Sequence, residues 1–391
     1  MRIVVENGGL NMQYRQMKNT DEEVSILGFG CMRFPVINGD DKKIDIEKSE
    51  KMLDYAIDNG VNYLDTAWPY HQEASEIFVG NYLEKRDLRD DVHLATKLPS
   101  WLIKKREDMD TYLNKQLKRL KTDYIDFYLI HSLNAKSWEN LKDNGIFDFI
   151  EKIKAKGLVK HIGFSFHDEL PVFKKIIDDY DGWEFTQIQL NYLDEEEQAG
   201  LEGLFYARER GLGTIIMEPL RGGNIVGDIP KDIAQIWAEA EEEKSYPEWA
   251  LRYLWDKPEV DLVLSGMSHM DHVKGNVAYA KEGRINCLSD KEQALIQRVK
   301  TKYLEKIEVP CTNCKYCMPC PFGVNIPRAF TALNEANLFE NVEGSKKDYL
   351  NAVGEKHLAS KCTECNVCIE KCPQHINIPV ELKKAVNLFE G

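Results

Sequence analysis

Eight of the ten cysteines in the 391-residue sequence lie between positions 311 and 372, in two groups of four. One group is Cys362, Cys365, Cys368 and Cys372, a C-x2-C-x2-C-x3-C run closed by Pro373. The other is Cys311, Cys314, Cys317 and Cys320, the same run with its last gap one residue shorter, closed by Pro321. Short gaps let several thiolates converge on a small inorganic core, while a fourth arrives from far along the chain. This is the bacterial iron–sulfur spacing, in which the last cysteine of each run ligates the other cluster. Eight cysteines then suit two [4Fe-4S] clusters. Cys311, Cys314 and Cys317 would share one with Cys372, and Cys362, Cys365 and Cys368 would share the other with Cys320. The alternative is two structural zinc sites, since four thiolates also make a tetrahedral zinc site, although zinc runs usually pair two C-x2-C knuckles across a longer spacer. No signal peptide is evident, so a reducing, cytoplasmic setting is expected, where disulfides are rare.

A second set of reactive side chains lies upstream: Asp65, Tyr70, Lys97 and His131. Reducing a carbonyl requires hydride on carbon and a proton on oxygen. A tyrosine by itself is too weak an acid, with an ordinary pKa of about 10. An ammonium such as Lys97 beside it favours the phenolate and is expected to lower that value. Asp65 would hold the lysine in place and charged, and His131 would orient the carbonyl or relay the proton. Tyr70 is then the acid in reduction and the base in oxidation.

Four residues spread over 67 positions can meet only if the fold brings them together. Apolar, strand-like runs occur at 27–32, 61–66, 92–97, 124–131, 159–165, 185–190, 212–217 and 260–265. Amphipathic stretches of helical length separate most of them, as at 46–59, 108–120, 147–156 and 247–255. Several of the intervening stretches end on glycine, a helix stop, as at Gly60, Gly157 and Gly211. Eight such units predict an α/β fold, a (β/α)8 TIM barrel, whose active site lies at the C-terminal ends of the strands. Asp65, Lys97 and His131 close the second, third and fourth of these strands. A doubly wound sheet is the runner-up, but it wants a Gly-rich phosphate loop after its first strand. Leu27-Gly28-Phe29-Gly30 has only two of those glycines and leads into no evident helix, so they read as barrel geometry. Residues 11–26 are expected to form a small hairpin ahead of the barrel.

The segment Asp65-Thr66-Ala67-Trp68-Pro69-Tyr70, with Lys97 and His131, resembles the catalytic tetrad of the aldo-keto reductases over residues 20–300. With its two cysteine runs the tail is similar to the ferredoxin-bearing subgroup of that family. The resemblance implies a nicotinamide cofactor, NADP(H), with NAD(H) possible. It places Ser165 and Gln187 at the carboxamide and Pro219, Leu220, Gly222 and Gly223 over the pyrophosphate. It places Gly266, Met267, Ser268 and Asn276 around the adenosine phosphate and adenine. Three positions depart from the pattern. Phe166 stands where many members have Asn, Met217 where many have a Tyr stacked on the nicotinamide, and His272 where an Arg commonly contacts the 2′-phosphate. Histidine is a pH-dependent phosphate partner without the fixed fork of arginine, which keeps NAD open. Trp68, His71, Trp101, Leu133 and Trp138 are expected to line an apolar, aromatic substrate pocket. Trp183, Trp237, Trp249 and Trp255 read as packing, and Cys31 and Cys287 as core thiols.

The formal net charge of −14 comes from the first three hundred residues, because 304–391 carry ten Lys/Arg against eleven Asp/Glu. An acidic chain with no basic stripe argues against nucleic-acid binding, and no apolar run approaches membrane-span length. A boundary near Val309-Pro310 predicts a barrel over 1–303 and a small, helical, ferredoxin-like domain over 304–391. Asn325-Ile326-Pro327 and Asn377-Ile378-Pro379, each just past a Cys-Pro, read as a pseudo-repeat. The expected function is NAD(P)H-dependent carbonyl reduction or alcohol oxidation on a small molecule, with the clusters in electron transfer and a redox protein as partner. The alternative is an ordinary carbonyl reductase whose clusters are structural or dock that partner. Hydride moves two electrons and a cluster one, so coupling them calls for a group such as a flavin, for which no motif is evident.

Overall fold

The computed structural model describes residues 11–391 apart from Thr312 and Cys314. They divide into two compact units, one reaching residue 222 and resuming at 244–289, the other comprising 223–243 and 290–391. This division differs from a cut at 303/304. Helix Asp290–Leu304 packs with helix Lys231–Trp237. Arg298 pairs with Glu239, and Lys306 with Asp232.

In the first unit, β1 (Tyr14–Gln16) and β2 (Glu23–Ser25) form the expected antiparallel hairpin. Eight parallel strands follow: β3 (Leu27–Gly30), β4 (Tyr63–Asp65), β5 (His93–Leu98), β6 (Ile125–Leu133), β7 (Val159–Phe166), β8 (Phe185–Gln189), β9 (Gly213–Met217) and β10 (Leu262–Ser265). They close in sequence order, with β10 pairing both β9 and β3. Strands covered on both faces read as apolar runs rather than alternations, and most residues of β6 are buried. Tyr63, Ala95, Phe127, Leu129, Phe185, Ile215, Leu262 and Leu264 form one buried cluster with Met17 and Val24 of the hairpin segment. The barrel is therefore a packed core, and the hairpin covers its N-terminal end. Asn62, just before β4, ties the two by accepting from Ser25 N–H at 2.8 Å and donating to Glu23 O at 2.9 Å. Gly28 serves barrel geometry as expected, since a Cβ there would lie 2.8 Å from Leu264 Cδ2.

The second unit is helical in its described residues. Helices Ile326–Leu338, Val342–Val353 and Ile378–Phe389 share a core that includes Val324, Phe330, Leu333, Tyr349, Leu382 and Phe389. The pseudo-repeat is structural, since Asn325 and Asn377 each precede a helix with proline in its first turn, where the missing N–H costs nothing. Two polar clamps hold the cysteine runs to this core. Asn334 accepts from Val309 N–H at 2.9 Å and donates to Val309 O at 2.8 Å, two residues before Cys311. Near the other run, Ala359 N–H donates to Tyr349 Oη at 2.7 Å and to Glu390 Oε1 at 2.8 Å. Among the described residues no helix is long and apolar enough to cross a membrane.

Candidate functional site

Strand register brings the barrel's reactive side chains together. Asp65 lies opposite Ala95, two residues before Lys97, so both side chains leave the same face of neighbouring strands. Lys97 Nζ donates to Asp65 Oδ1 at 2.6 Å, to Thr66 O at 2.9 Å and to Tyr70 Oη at 3.2 Å. All three ammonium hydrogens are thus committed, and neither Lys97 nor Asp65 is more than 2% exposed. His131, near the end of β6, meets Tyr70 edge-on with ring centres 6.2 Å apart. Trp101 stands 5.1 Å from the His131 ring and is 49% exposed, placing an aromatic wall beside the site.

Burial is the largest influence on each of these groups. It disfavours the Lys97 ammonium, but Asp65 and then Tyr70 outweigh it, so the lysine is held above its ordinary value and stays charged. Burial pushes the Tyr70 hydroxyl up by more than Lys97 pulls it down. The expected lowering is therefore reversed in this ligand-free arrangement, and Tyr70 is a firmly protonated acid. Burial, then Lys97 and His167, hold His131 well below its usual range, as a neutral imidazole.

Asp65 Oδ2, His131 Nδ1 and Gln187 Oε1 are buried without a hydrogen-bond partner. Folded chains rarely leave such atoms orphaned, and at these three positions a bound molecule could complete them. Ser165 and Gln187 are neighbours across β7 and β8. Ser165 Oγ accepts from Ser132 N–H at 2.7 Å, and Gln187 Nε2 lies 3.4 Å from Met217 Sδ. Pro219 and Leu220 follow β9, and Gly222 and Gly223 both have positive φ, at 68° and 107°. Gly223 opens the segment belonging to the second unit. After β10, Gly266 is exposed, Met267 buried and Ser268 half-buried, and His272 lies exposed near the start of helix Met270–Glu282. Asn276 is buried, and its amide donates to Ser265 Oγ at 3.0 Å, bracing the end of β10.

Other expected pocket residues serve the scaffold. His71 accepts from Phe34 N–H at 3.1 Å and its Nδ1 lies 2.9 Å from Asp41 O, pinning the loop after β3 to the Tyr70 turn. Trp138 is buried against Phe147 and Trp183 and donates to Asp179. Trp68 lies under the Arg119 guanidinium, 3.5 Å from its ring centre, and Leu133 is fully buried. Sequence reasoning missed a buried network behind Lys97. Glu76 Oε1 accepts from Thr96 Oγ1 and Gln116 Nε2, both at 2.7 Å, and Gln116 Nε2 also donates to Lys97 O at 2.9 Å. The signal was available: Gln116 takes an apolar-face position in the buried stripe Met109, Leu113, Gln116, Leu120.

In the second unit the cysteines line two cavities. Cys320 joins Cys362, Cys365 and Cys368 around one of them. Cys311, Cys317 and Cys372 line another, and Cys314 lies outside the described residues. Each cavity thus combines thiols of both runs. Among the described residues no three His, Cys, Asp or Glu side chains are grouped to hold a single metal ion.

Comparison with known proteins bears on both units. A model described as "Aldo/keto reductase family" matches residues 26–300, and one described as "4Fe-4S dicluster domain" matches residues 310–377. The oxidoreductase YqkF of Bacillus subtilis is 26% identical over 308 residues, covering 70% of this chain and 93% of that protein. An aryl-alcohol dehydrogenase [NADP(+)] of Phanerodontia chrysosporium is 30% identical over 140 residues, 31% of this chain and 35% of that protein. The holo structure of aldo-keto reductase AKR11C1 from Bacillus halodurans superposes with a TM-score of 0.62 at 28% identity, covering 74% of this chain and 96% of that one.

Proposed function

The chain belongs to the aldo/keto reductase family and carries a C-terminal 4Fe-4S dicluster domain, and on that premise we propose that it reduces a carbonyl or oxidises an alcohol on a small molecule using NADP(H), with two [4Fe-4S] clusters carrying electrons. The contact of Lys97 with Asp65 and Tyr70, beside a neutral His131, carries this reading. When bound, a reduced nicotinamide supplies the hydride. Tyr70 donates its hydroxyl proton to the carbonyl oxygen as the hydride reaches carbon. The Lys97 ammonium, 3.2 Å away, stabilises the phenolate left behind, and Asp65 keeps that ammonium charged and aimed. Neutral His131 offers a ring N–H to the same carbonyl oxygen and orients it. In alcohol oxidation the proton returns to Tyr70. Ser165 and Gln187 would hold the carboxamide, and the glycine-bearing loops after β9 and β10 the phosphates, where barrels commonly bind them. The NADP(+) in the name of the Phanerodontia chrysosporium relative supports NADP over NAD.

In the tail we assign one cluster to Cys311, Cys314, Cys317 and Cys372 and the other to Cys362, Cys365, Cys368 and Cys320. The two cavities support this exchange of fourth ligands. Carbonyl reduction consumes both electrons of the hydride, so the electrons the two clusters would carry, one each, would be those of NADPH formed by alcohol oxidation. A flavin-bearing redox protein would split that pair, and a reducing, cytoplasmic compartment would keep the thiolates available.

Tyr70→Phe tests the catalytic assignment. It removes the proton donor and should lower the carbonyl reduction rate by about 10²–10⁴-fold without changing dinucleotide affinity. Unchanged turnover would refute it. Anaerobic titration with NADPH tests the electron role. Bleaching of the cluster absorbance supports coupling, whereas carbonyl turnover with no bleaching, even when a flavin-bearing redox protein is added, confines the clusters to structure or docking.

A further inference from the structure

Arg33 lies on the loop after β3, a region to which nothing above assigns a cofactor contact. Its strand is the barrel neighbour of β10, and β10 in turn neighbours β9. The side chain runs along the two loops that follow those strands. A Cβ built on Gly266 would lie 3.0 Å from Arg33 Cδ and 3.3 Å from Cγ. One built on Gly222 would lie 3.6 Å from Arg33 Nη2. The aliphatic stem therefore packs on the loop after β10, and the guanidinium reaches the loop after β9. The residue is exposed, and it has no ion pair or hydrogen bond among the described residues. Glu218 approaches the same point, with Oε2 4.0 Å from the Gly222 Cβ position, yet it makes no ion pair with Arg33. Two glycines whose missing Cβ atoms leave room for it thus flank a free guanidinium. The loop after β10 leads into the 13-residue helix Met270–Glu282, whose N-cap residue, His269, makes no side-chain capping bond. A helix N-terminus without a side-chain cap favours an anion.

We propose that Arg33 is a dinucleotide-binding residue that contacts the pyrophosphate and closes its site from the β3 side. This rests on the nicotinamide reading above. The pyrophosphate is preferred to the 2′-phosphate because the guanidinium points at Gly222, in the loop after β9. The 2′-phosphate is assigned to His272, in the helix beyond the loop after β10. A planar fork gives two parallel hydrogen bonds to phosphate oxygens, and it supplies a fixed charge that His272 lacks.

The test is binding, measured by isothermal titration calorimetry on the full-length protein and on Arg33→Met, which keeps the stem packed against Gly266. Thermal melting of both proteins checks that the barrel is intact. The Kd for NADPH, NADH and ADP-ribose should rise together in the variant, by about tenfold or more. Adenosine 2′-monophosphate, which lacks both phosphates of the pyrophosphate, should bind both proteins equally. An unchanged Kd for ADP-ribose in an intact variant overturns the assignment and leaves the nicotinamide reading standing. A loss confined to NADPH overturns it too, by moving Arg33 to the 2′-phosphate. A wild-type protein that binds none of these dinucleotides overturns the nicotinamide reading itself.

Discussion

Replacing Asp65 with asparagine keeps the shape of the side chain and removes its charge. Lys97 Nζ would then face an amide, Thr66 O and Tyr70 Oη in a site where the lysine has no exposed surface. In the native protein Asp65 is the main attraction opposing burial, so without it the lysine pKa should fall below its ordinary 10.5. Two routes bound the cost. Removing one partner of a buried ion pair typically costs about 3–5 kcal/mol. The lysine can also escape by losing its proton, and from 10.5 to pH 7 that caps the penalty at about 5 kcal/mol. Either figure is large beside a total stability of about 5–15 kcal/mol. The sign of the pH dependence is distinctive. Native Lys97 has a raised pKa, so its contribution is complete below 10.5 and fades as pH rises through the folded value. In Asp65→Asn the pKa is depressed, so the penalty is greatest at low pH and shrinks as pH approaches 10.5. At pH 9.5 its ceiling is only about 1.4 kcal/mol. Urea unfolding of both proteins at pH 7 and pH 9.5, followed by circular dichroism, should show the gap between midpoints closing at the higher pH. A gap of equal size at both would refute the idea that a buried, unpaired ammonium is the cause.

Burial holds the His131 imidazole well below its unfolded value of 6.5, so the folded protein binds fewer protons there and loses stability as pH falls below 6.5. His131→Gln lacks that group, and its urea midpoint should gain on the wild type between pH 7.5 and pH 5; a constant offset would contradict this. The exchange of ligands between runs can be tested with Cys320→Ser and Cys372→Ser. The first should perturb the cluster of the Cys362–Cys368 run and the second that of the Cys311–Cys317 run, as read by iron content and electron paramagnetic resonance. Damage confined to each residue's own run would defeat the assignment.

The features legible in the sequence are those written over short distances. Cysteine gaps of two and three residues define thiolate geometry whatever surrounds them, so the two runs and their inorganic partners could be read directly. The alternation of apolar runs with amphipathic stretches is likewise local, and eight repeats leave few ways to close a parallel sheet. The position of Asp65, Lys97 and His131 at the ends of consecutive strands then followed from the strand count. Tertiary structure decided what depends on surroundings. Tyr70 lies above its ordinary pKa because burial outweighs Lys97, and burial is summed over the whole fold. His71 and Trp138 became scaffold because partners 30 and 41 positions away took their polar atoms. Gln116 and Glu76 support Lys97 from a helix 19 and a helix 21 residues distant in sequence, and Arg33 meets Gly222 and Gly266 only because the barrel closes. Local spacing sets which chemistry a side chain can offer. Long-range packing sets its solvent, its neighbours and therefore its protonation.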